Sequence, residues 1–321
     1  MPVLVYVEDH EGELNRSSLG VLSHVAKLGE EVAVVLCGSS VRELAAQTGR
    51  YGASRAYVAD DPALEHPLPQ PRVDVLAKLI EDKDFDTIVF GASVLTADVA
   101  AGLAARLDAG LNWDLVDLEL RDGELVGRRP ALQDSVVAEV GWKGEPRLAL
   151  IRSGTFEPEE SGGEAPVEEI PAEIQDFSRR AVMIESAHAE SEGPSIEDAD
   201  VIVAGGRGLG DPKKFSLLED LAKALGGAVA ATRAVVDAGW YPYASQVGQT
   251  GKTVSPKLYI ACGISGAIQH KVGMQSAGTI VAINKDPNAP IFEYSDLGVV
   301  GDLHEIVPKL TQLVKERKGG G

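Results

Sequence analysis

Residues 200–210, DVIVAGGRGLG, combine a short apolar run with four glycines and one arginine. The apolar run does not alternate with polar residues, which is typical of a strand buried on both faces of a parallel sheet. Residues 211–227 follow, with Asp211 as a candidate N-cap, Pro212 in the first turn and Gly226 as a stop signal. These signals predict a helix, so the stretch is a strand, a glycine-rich turn and a helix.

The same alternation of apolar strand and amphipathic helix extends in both directions from this unit. A βαβα order favours a parallel sheet covered by helices. We therefore predict an α/β fold with two doubly wound, mostly parallel-sheet domains, of which the second is a dinucleotide-binding domain. The predicted strands of these alternating units are residues 3–7, 31–38, 55–60, 86–93, 200–205, 228–233, 257–263, 279–284 and 297–302. Residues 114–130 alternate around Asp122-Gly123, which predicts a hairpin, and residues 135–142 and 147–156 are predicted as further strands that extend the first sheet.

Two breaks divide the chain, whose 321 residues are enough for two domains. Residues 157–173 are acidic and rich in Pro and Gly, so we predict a loop or linker there. Residues 192–200 form a second break in the pattern. We place the boundary beside it, with residues 1–192 as a first domain that ends in the acidic linker and residues 193–321 as a second domain.

The formal net charge of −19 is unevenly distributed. Residues 201–321 contain 13 Lys and Arg against 10 Asp and Glu, so the acidic excess lies in the first 200 residues. Acidic charge repels nucleic acid phosphates, and solubility is its simplest role.

Cysteine content and hydropathy narrow the class of protein further. Cys37 and Cys262 lie far apart in apolar runs, so we predict neither a zinc site nor a disulfide. The first residues lack the pattern of a signal peptide, and no apolar run has the length of a membrane helix. We expect a cytoplasmic protein without a metal.

Polar side chains follow several predicted strands of the second domain. Open parallel sheets bind ligands at the carboxyl ends of their strands, so these side chains are candidates for a dinucleotide site. Simpler interpretations remain open for each: an ordinary tight turn, a surface arginine or a helix cap. The candidates are Arg207, Arg233, Ser265, Asn284 and Asp302.

The segment after the strand at residues 257–263 is a second candidate for donor groups. Ser265 and Gly266 are predicted to cap a helix whose first turn includes Ala267 and Ile268, and helix N-termini bind anions. His270 lies on the first or second turn of that helix. A lone histidine is more often plain polar surface, and no other metal ligand stands at a suitable spacing.

Four motifs of the second domain give a more specific interpretation. They are GGRGL, ATRAVVDAGW, QVGQTGKTVSPKLYIACGISGAIQH, and AINKDPNAPIF followed by YSDLGVVGDL, within residues 201–308. Together they closely resemble the α subunit of electron transfer flavoprotein, and residues 86–114 of the first domain resemble the same family more loosely. The resemblance implies one FAD, held mainly by the second domain, and a heterodimer with a β subunit that the first domain faces.

The resemblance implies roles for individual residues at the phosphate and adenosine parts of FAD. Arg207 and Ser265, with the neighbouring backbone, would hold the pyrophosphate and ribityl region. Thr232 stands where the family often has Ser. The neighbouring backbone is that of Gly266, Ala267, Ile268 and Gln269, and the adenosine end would be held by Asn284, Asp302 and Leu303.

The resemblance also implies contacts to the isoalloxazine ring. Residues Val247, Gly248, Gln249 and Thr250 would line it, with Thr250 near flavin N5. His270 would lie near flavin O2 and Arg233 over the ring system. Reduction places negative charge near N1 and O2, so cationic or donor groups there are expected to favour the reduced flavin.

A function follows from the resemblance. The family carries electrons from flavin dehydrogenases, such as acyl-CoA dehydrogenases of fatty acid β-oxidation, to the membrane-bound electron transfer flavoprotein–quinone oxidoreductase, through a stabilised flavin semiquinone. No catalytic residue is predicted, because a carrier needs neither a nucleophile nor a general base. Two alternatives remain open: an electron-bifurcating relative that oxidises NADH, and a flavin-free nucleotide-binding module.

Overall fold

The structure is a computed structural model that describes residues 2–10, 12–29, 31–132, 135–185, 195–197 and 199–319. The chain divides into two compact units, Met1–Ser186 and Ala187–Gly321. The boundary predicted between residues 192 and 193 lies outside the described residues. No helix in the described ranges is long and apolar enough to cross a membrane.

The first unit is built around a seven-stranded parallel sheet with the strand order β12-β5-β4-β1-β6-β11-β7. The unit also contains a separate three-stranded antiparallel sheet, β10-β9-β8. The strands are β1 (Val3–Tyr6), β2 (Asp9–His10), β3 (Glu13–Leu14), β4 (Val32–Gly38), β5 (Arg55–Asp60), β6 (Thr87–Gly91), β7 (Gly110–Leu115), β8 (Asp117–Arg121), β9 (Glu124–Ala131), β10 (Val136–Val140), β11 (Arg147–Ile151) and β12 (Val167–Glu169); the helices are α1 (Arg16–Ala26), α2 (Arg42–Gln47), α3 (Pro69–Lys83) and α4 (Val94–Leu107).

The central strands of this sheet are buried along their whole length. Every residue of β1, β4 and β6 is buried, including Cys37 in β4, which is a free thiol. Helices on both faces account for this, because a strand covered on two sides has no polar face. Unbroken apolar runs in the sequence therefore correspond to the inner strands of a parallel sheet.

The predicted acidic linker at residues 157–173 is wrong in its central part. Val167–Glu169 forms β12, an edge strand that pairs in parallel with β5. Its Glu168 carboxylate lies 2.8 Å from Lys83 Nζ and 3.0 Å from Arg55 Nη1. Because these cations come from β5 and α3, the acidic segment adds to the sheet and does not leave it.

The second unit contains a six-stranded parallel sheet with the order β15-β14-β13-β16-β17-β18. The strand order reverses at β13, which is the arrangement of a doubly wound sheet with a switch point between β13 and β16. The elements are β13 (Val201–Gly205), β14 (Ala228–Thr232), β15 (Gln246–Val247), β16 (Leu258–Cys262), β17 (Thr279–Asn284), β18 (Leu297–Val300), α5 (Phe215–Leu225), α6 (Arg233–Val236), α7 (Ile268–Met274) and α8 (Leu303–Gly319).

Local signals of the opening stretch are found in the structure as predicted. The Asp211 carboxylate accepts a hydrogen bond from Lys213 N–H at 2.8 Å, and a short 3₁₀ turn at Pro212–Lys214 leads into α5. Gly226 ends α5 in the left-handed conformation, with φ of 78°. The fold class, α/β with two mostly parallel sheets, is confirmed.

Candidate functional site

The carboxyl ends of the second sheet meet at one edge. Parallel register places Gly205 beside Cys262, Cys262 beside Ile283, and Thr232 beside Val247. The loops that leave these strands carry nearly all the residues predicted to bind a dinucleotide. The switch point between β13 and β16 lies at the centre of this edge, where open α/β sheets bind their ligands.

The glycine-rich turn after β13 packs against the turn after β16. Gly206 N–H donates to the Cys262 carbonyl and Gly208 N–H to the Gly263 carbonyl, both at 3.0 Å. A Cβ on Gly208 would lie 2.6 Å from Gly263 Cα, so the glycine permits a close approach of two backbones. The N–H groups of Gly206 and Gly208 are therefore not available to an anion, because protein carbonyls accept from them.

Arg207 and Arg233 differ in whether their guanidinium groups are bonded to other residues of the chain. The Arg207 guanidinium is exposed, and within the described part of the chain it has neither a hydrogen bond nor an ion pair. Arg233 is also exposed, but its Nε lies 3.2 Å from the Asp237 carboxylate one turn later in the chain. Arg207 is therefore the more available cation for a phosphate.

The segment from Ile264 to Gln269 provides a row of free backbone donors. Among the described residues, no protein group accepts a hydrogen bond from any N–H of this segment. Ser265 is exposed, and its carbonyl accepts from Ile291 N–H at 3.0 Å, which fixes the loop. Backbone N–H groups in such a row are suited to a pyrophosphate.

The predicted cap of the following helix is wrong by two residues. Helix α7 begins at Ile268, its N-cap is Ala267, and no side chain caps it. Ser265 and Gly266 lie in the loop before it, where Gly266 adopts a φ of +90°. The reason is the left-handed backbone at Gly266, which turns the chain before helical geometry begins.

The loop after β15 is held by hydrogen bonds at both ends. Gln249 N–H donates to the Gln269 carbonyl at 2.7 Å, which joins this loop to the segment before α7. The Thr250 carbonyl accepts from the Tyr243 hydroxyl at 3.1 Å and from Gln246 Nε2 at 3.0 Å. Gln249 and Thr250 remain exposed, so their side chains are available to a ligand.

His270 is a buried side chain, so the simpler interpretation of a lone histidine as plain polar surface is wrong. Its Nδ1 lies 3.0 Å from the Val247 carbonyl and its Nε2 lies 3.0 Å from the Tyr259 hydroxyl. Since a carbonyl only accepts, Nδ1 carries the proton and the Tyr259 hydroxyl donates to Nε2. Burial lowers the pKa of His270 from 6.5 to about 4.

The residues predicted at the adenosine end have structural contacts of their own. Asn284 Nδ2 donates to the Ile264 carbonyl at 2.9 Å and thereby ties β17 to the donor row. Asp302 accepts from His304 N–H at 2.8 Å, as expected of a helix cap. Leu303 is buried in the core, so only its backbone is available to a ligand.

Sequence inspection missed two residues that support this edge. Gln246 is buried beneath the loop that contains Thr250, and Tyr259 is fully buried in β16 beside His270. A buried polar residue at a strand end and a tyrosine in an otherwise apolar strand were the available signals. Neither signal identifies the hydrogen-bond partner of the residue, because each hydrogen bond joins residues that are not neighbours in the sequence.

Comparison with known proteins agrees with this geometry. Residues 3–175 match the model of the electron transfer flavoprotein domain, and residues 195–275 match that of the electron transfer flavoprotein FAD-binding domain. The chain belongs to the electron transfer flavoprotein α-subunit family. It is therefore a member of a family of electron carriers, and the cofactor of its second domain is FAD.

Individual relatives match over nearly their whole length. The electron transfer flavoprotein subunit alpha of Mycobacterium leprae is 42% identical over 320 residues, with 98% of this chain and 99% of the relative covered. That of Thermoanaerobacterium thermosaccharolyticum is 38% identical, with 98% of each covered. Protein FixB of Clostridium saccharobutylicum is 39% identical, with 98% of this chain and 96% of the relative covered.

The edge described above fits FAD. A pyrophosphate needs backbone donors and a cation, and the structure has a row of unbonded N–H groups and an uncommitted Arg207 there. The half-buried Thr232 is the N-cap residue of α6, but its hydroxyl makes no capping hydrogen bond, so that hydroxyl is a further available donor. No cluster of metal-ligating side chains occurs among the described residues.

Proposed function

We propose that this chain is the FAD-carrying α subunit of a heterodimeric electron transfer flavoprotein. It would receive electrons from flavin dehydrogenases, such as acyl-CoA dehydrogenases of fatty acid β-oxidation, and deliver them to the membrane-bound electron transfer flavoprotein–quinone oxidoreductase. The observation that carries the proposal is the row of free N–H groups beside Arg207, within the segment that matches the FAD-binding domain. The proposed location is the cytoplasm.

The phosphate end of FAD is assigned to groups that the protein leaves unbonded. The N–H groups of Ser265, Gly266, Ala267, Ile268 and Gln269 hold the pyrophosphate, and Arg207 neutralises its charge. Asn284, Asp302 and the Leu303 backbone form the adenosine end. The Asn284 amide is engaged with Ile264 and the Asp302 carboxylate with His304, so both act chiefly by shaping this end.

The ring end is assigned to the loop Val247–Thr250, with Thr232 and Arg233 beside it. Bound FAD supplies one-electron and two-electron redox chemistry. Thr250 would offer its hydroxyl to the ring near N5, and Arg233, whose Nε lies 3.2 Å from the Asp237 carboxylate, would supply positive charge to the ring system. His270 acts as a neutral donor that holds the Val247 carbonyl in place.

The proposal predicts a yellow heterodimer. Co-expression with the candidate β subunit should give a complex that co-purifies, shows flavin absorbance bands and accepts electrons from an acyl-CoA dehydrogenase. A colourless complex would contradict the FAD-binding role. Two flavins per heterodimer that NADH bleaches would indicate the electron-bifurcating alternative, whereas one flavin that NADH leaves oxidised supports the simple carrier.

Loss of the free arginine should weaken FAD binding. Arg207→Ala removes the uncommitted guanidinium, and a charge-assisted hydrogen bond contributes about 1.5–3 kcal/mol, so we expect at least a tenfold rise in the FAD dissociation constant. Fluorescence titration of the flavin-depleted complex measures it. Lys213→Ala, a change at another exposed cation of the same turn region, is the matched control. Equal effects of the two changes would indicate only a general charge effect.

A further inference from the structure

The buried amide of Gln246 is shared between two atoms of Thr250. Gln246 is only 3% exposed, and its Nε2 lies 3.0 Å from the Thr250 carbonyl oxygen and 3.2 Å from Thr250 Oγ1. A carbonyl oxygen accepts hydrogen bonds and never donates them, so the amide nitrogen must face Thr250. This geometry settles the orientation of the amide.

The two amide hydrogens then determine what the Thr250 hydroxyl can do. One hydrogen serves the carbonyl, and the other is donated to Oγ1, which occupies a lone pair of the hydroxyl oxygen. Thr250 is exposed, and its hydroxyl proton has no protein acceptor among the residues that the structure describes. The hydroxyl is left as a donor that points away from Gln246.

We propose that Gln246 is a positioning residue that presents the Thr250 hydroxyl as a hydrogen-bond donor to the flavin. This inference rests on the proposed function, which puts Thr250 near flavin N5. A donor aimed at an atom that gains electron density stabilises the reduced flavin. The hydroxyl keeps its proton throughout, and the electron comes from the dehydrogenase or, in a titration, from a mediator.

Tyr243 provides an internal control for a merely structural role. Its hydroxyl also donates to the Thr250 carbonyl, at 3.1 Å, but among the described residues only Gln246 hydrogen-bonds Thr250 Oγ1. Tyr243→Phe and Gln246→Met therefore each remove one hydrogen bond to the same carbonyl. Only Gln246→Met also frees the hydroxyl to rotate. Any difference in flavin midpoint potential between the two variants therefore reports on the Thr250 hydroxyl and not on the position of the loop.

The test is a one-electron redox titration of the FAD-loaded heterodimer. At a fixed solution potential, Gln246→Met should raise the ratio of oxidised to reduced flavin about tenfold. For a one-electron couple this corresponds to a midpoint potential that is lower by about 59 mV. Thr250→Val should give a similar shift, and Tyr243→Phe should give none. In the Thr250→Val background, Gln246→Met should have no further effect on the potential, since coupled residues are not additive. Thr250→Ser, which keeps the hydroxyl, should restore the wild-type value.

Three outcomes would overturn the inference. If Gln246→Met shifts the midpoint potential equally in the wild-type and Thr250→Val backgrounds, the amide acts on the loop and not through the hydroxyl. An unchanged potential in Thr250→Val would show that the hydroxyl does not contact the flavin, although FAD binding would stand. Equal shifts from Tyr243→Phe and Gln246→Met would show a structural role. If Gln246→Met does not hold flavin, Gln246→Leu replaces it in the same comparisons with Tyr243→Phe and with the Thr250→Val background. Failure of the wild-type complex to bind FAD would instead overturn the proposed function.

Discussion

Replacement of Gly266 by alanine is expected to lower the free energy of unfolding by about 3 kcal/mol or more and to abolish FAD retention. Gly266 has a φ of +90°, which costs energy for any residue with a side chain. An added Cβ would also lie 2.6 Å from Ile291 Cα and collide with the Ile291 nitrogen. Relief of that collision would break the hydrogen bond from Ile291 N–H to the Ser265 carbonyl and displace the donor row.

The matched control is Gly210→Ala at the end of the glycine-rich turn. Gly210 also has a positive φ, of 75°, but a Cβ added there would have no atom within 4 Å. We expect a loss of about 1 kcal/mol from the backbone alone. Urea denaturation gives both free energies, and visible absorbance gives the retained flavin. Similar losses for the two variants would contradict the contact with Ile291 as the cause.

Acidification is expected to destabilise the protein through His270, and His270→Gln should remove that loss. Burial lowers the pKa of His270 to about 4 in the folded chain, against 6.5 for a free histidine. Between these values the unfolded chain binds a proton that the folded chain does not, so stability falls as the pH falls. The contribution is fully present above pH 6.5 and decreases by about 3 kcal/mol by pH 4.

The measurement is urea denaturation of flavin-free wild type and variant at pH values from 4 to 7. His270→Gln should be less stable at pH 7, because it disturbs the contacts to Val247 and Tyr259, but its stability should change less with pH. His66→Gln, which removes an exposed imidazole, controls for the loss of a histidine as such. The same pH slope in wild type and His270→Gln would show that His270 is not held neutral by the fold.

Burial patterns explain why the sheets are predictable from the sequence. Strands such as β4 and β16 are buried on both faces, so their apolar runs identify them without any knowledge of their neighbours. Turn chemistry is local in the same way. Asp211 and Gly226 act within a few residues of themselves, as cap and stop, and their roles are visible in the sequence.

The misplaced cap of α7 has a local cause at Gly266, whereas the errors at β12 and His270 concern contacts between distant parts of the chain. Strand β12 pairs in parallel with β5, and its Glu168 lies beside Arg55 and Lys83, but no local pattern in the sequence encodes these long-range contacts. His270 is neutral because burial lowers the pKa of its imidazole, and the two groups that hydrogen-bond its ring, on Val247 and Tyr259, come from other elements of the chain. Sequence reasoning identifies which residues follow the carboxyl ends of the strands in the second sheet, whereas their protonation and hydrogen-bond partners depend on three-dimensional packing.

The two cysteines give each unit its own chemical reporter. Cys37 lies in the first sheet and Cys262 in the second, beneath the binding edge, and both are free and buried. Burial raises the pKa of each thiol to about 12, so almost no thiolate is present at neutral pH. A thiol reagent therefore reaches either cysteine only when its own sheet opens. Mass spectrometry of the labelled peptides gives the labelling rate of each cysteine, and hence the opening rate of each unit, in one sample of the protein without engineered residues.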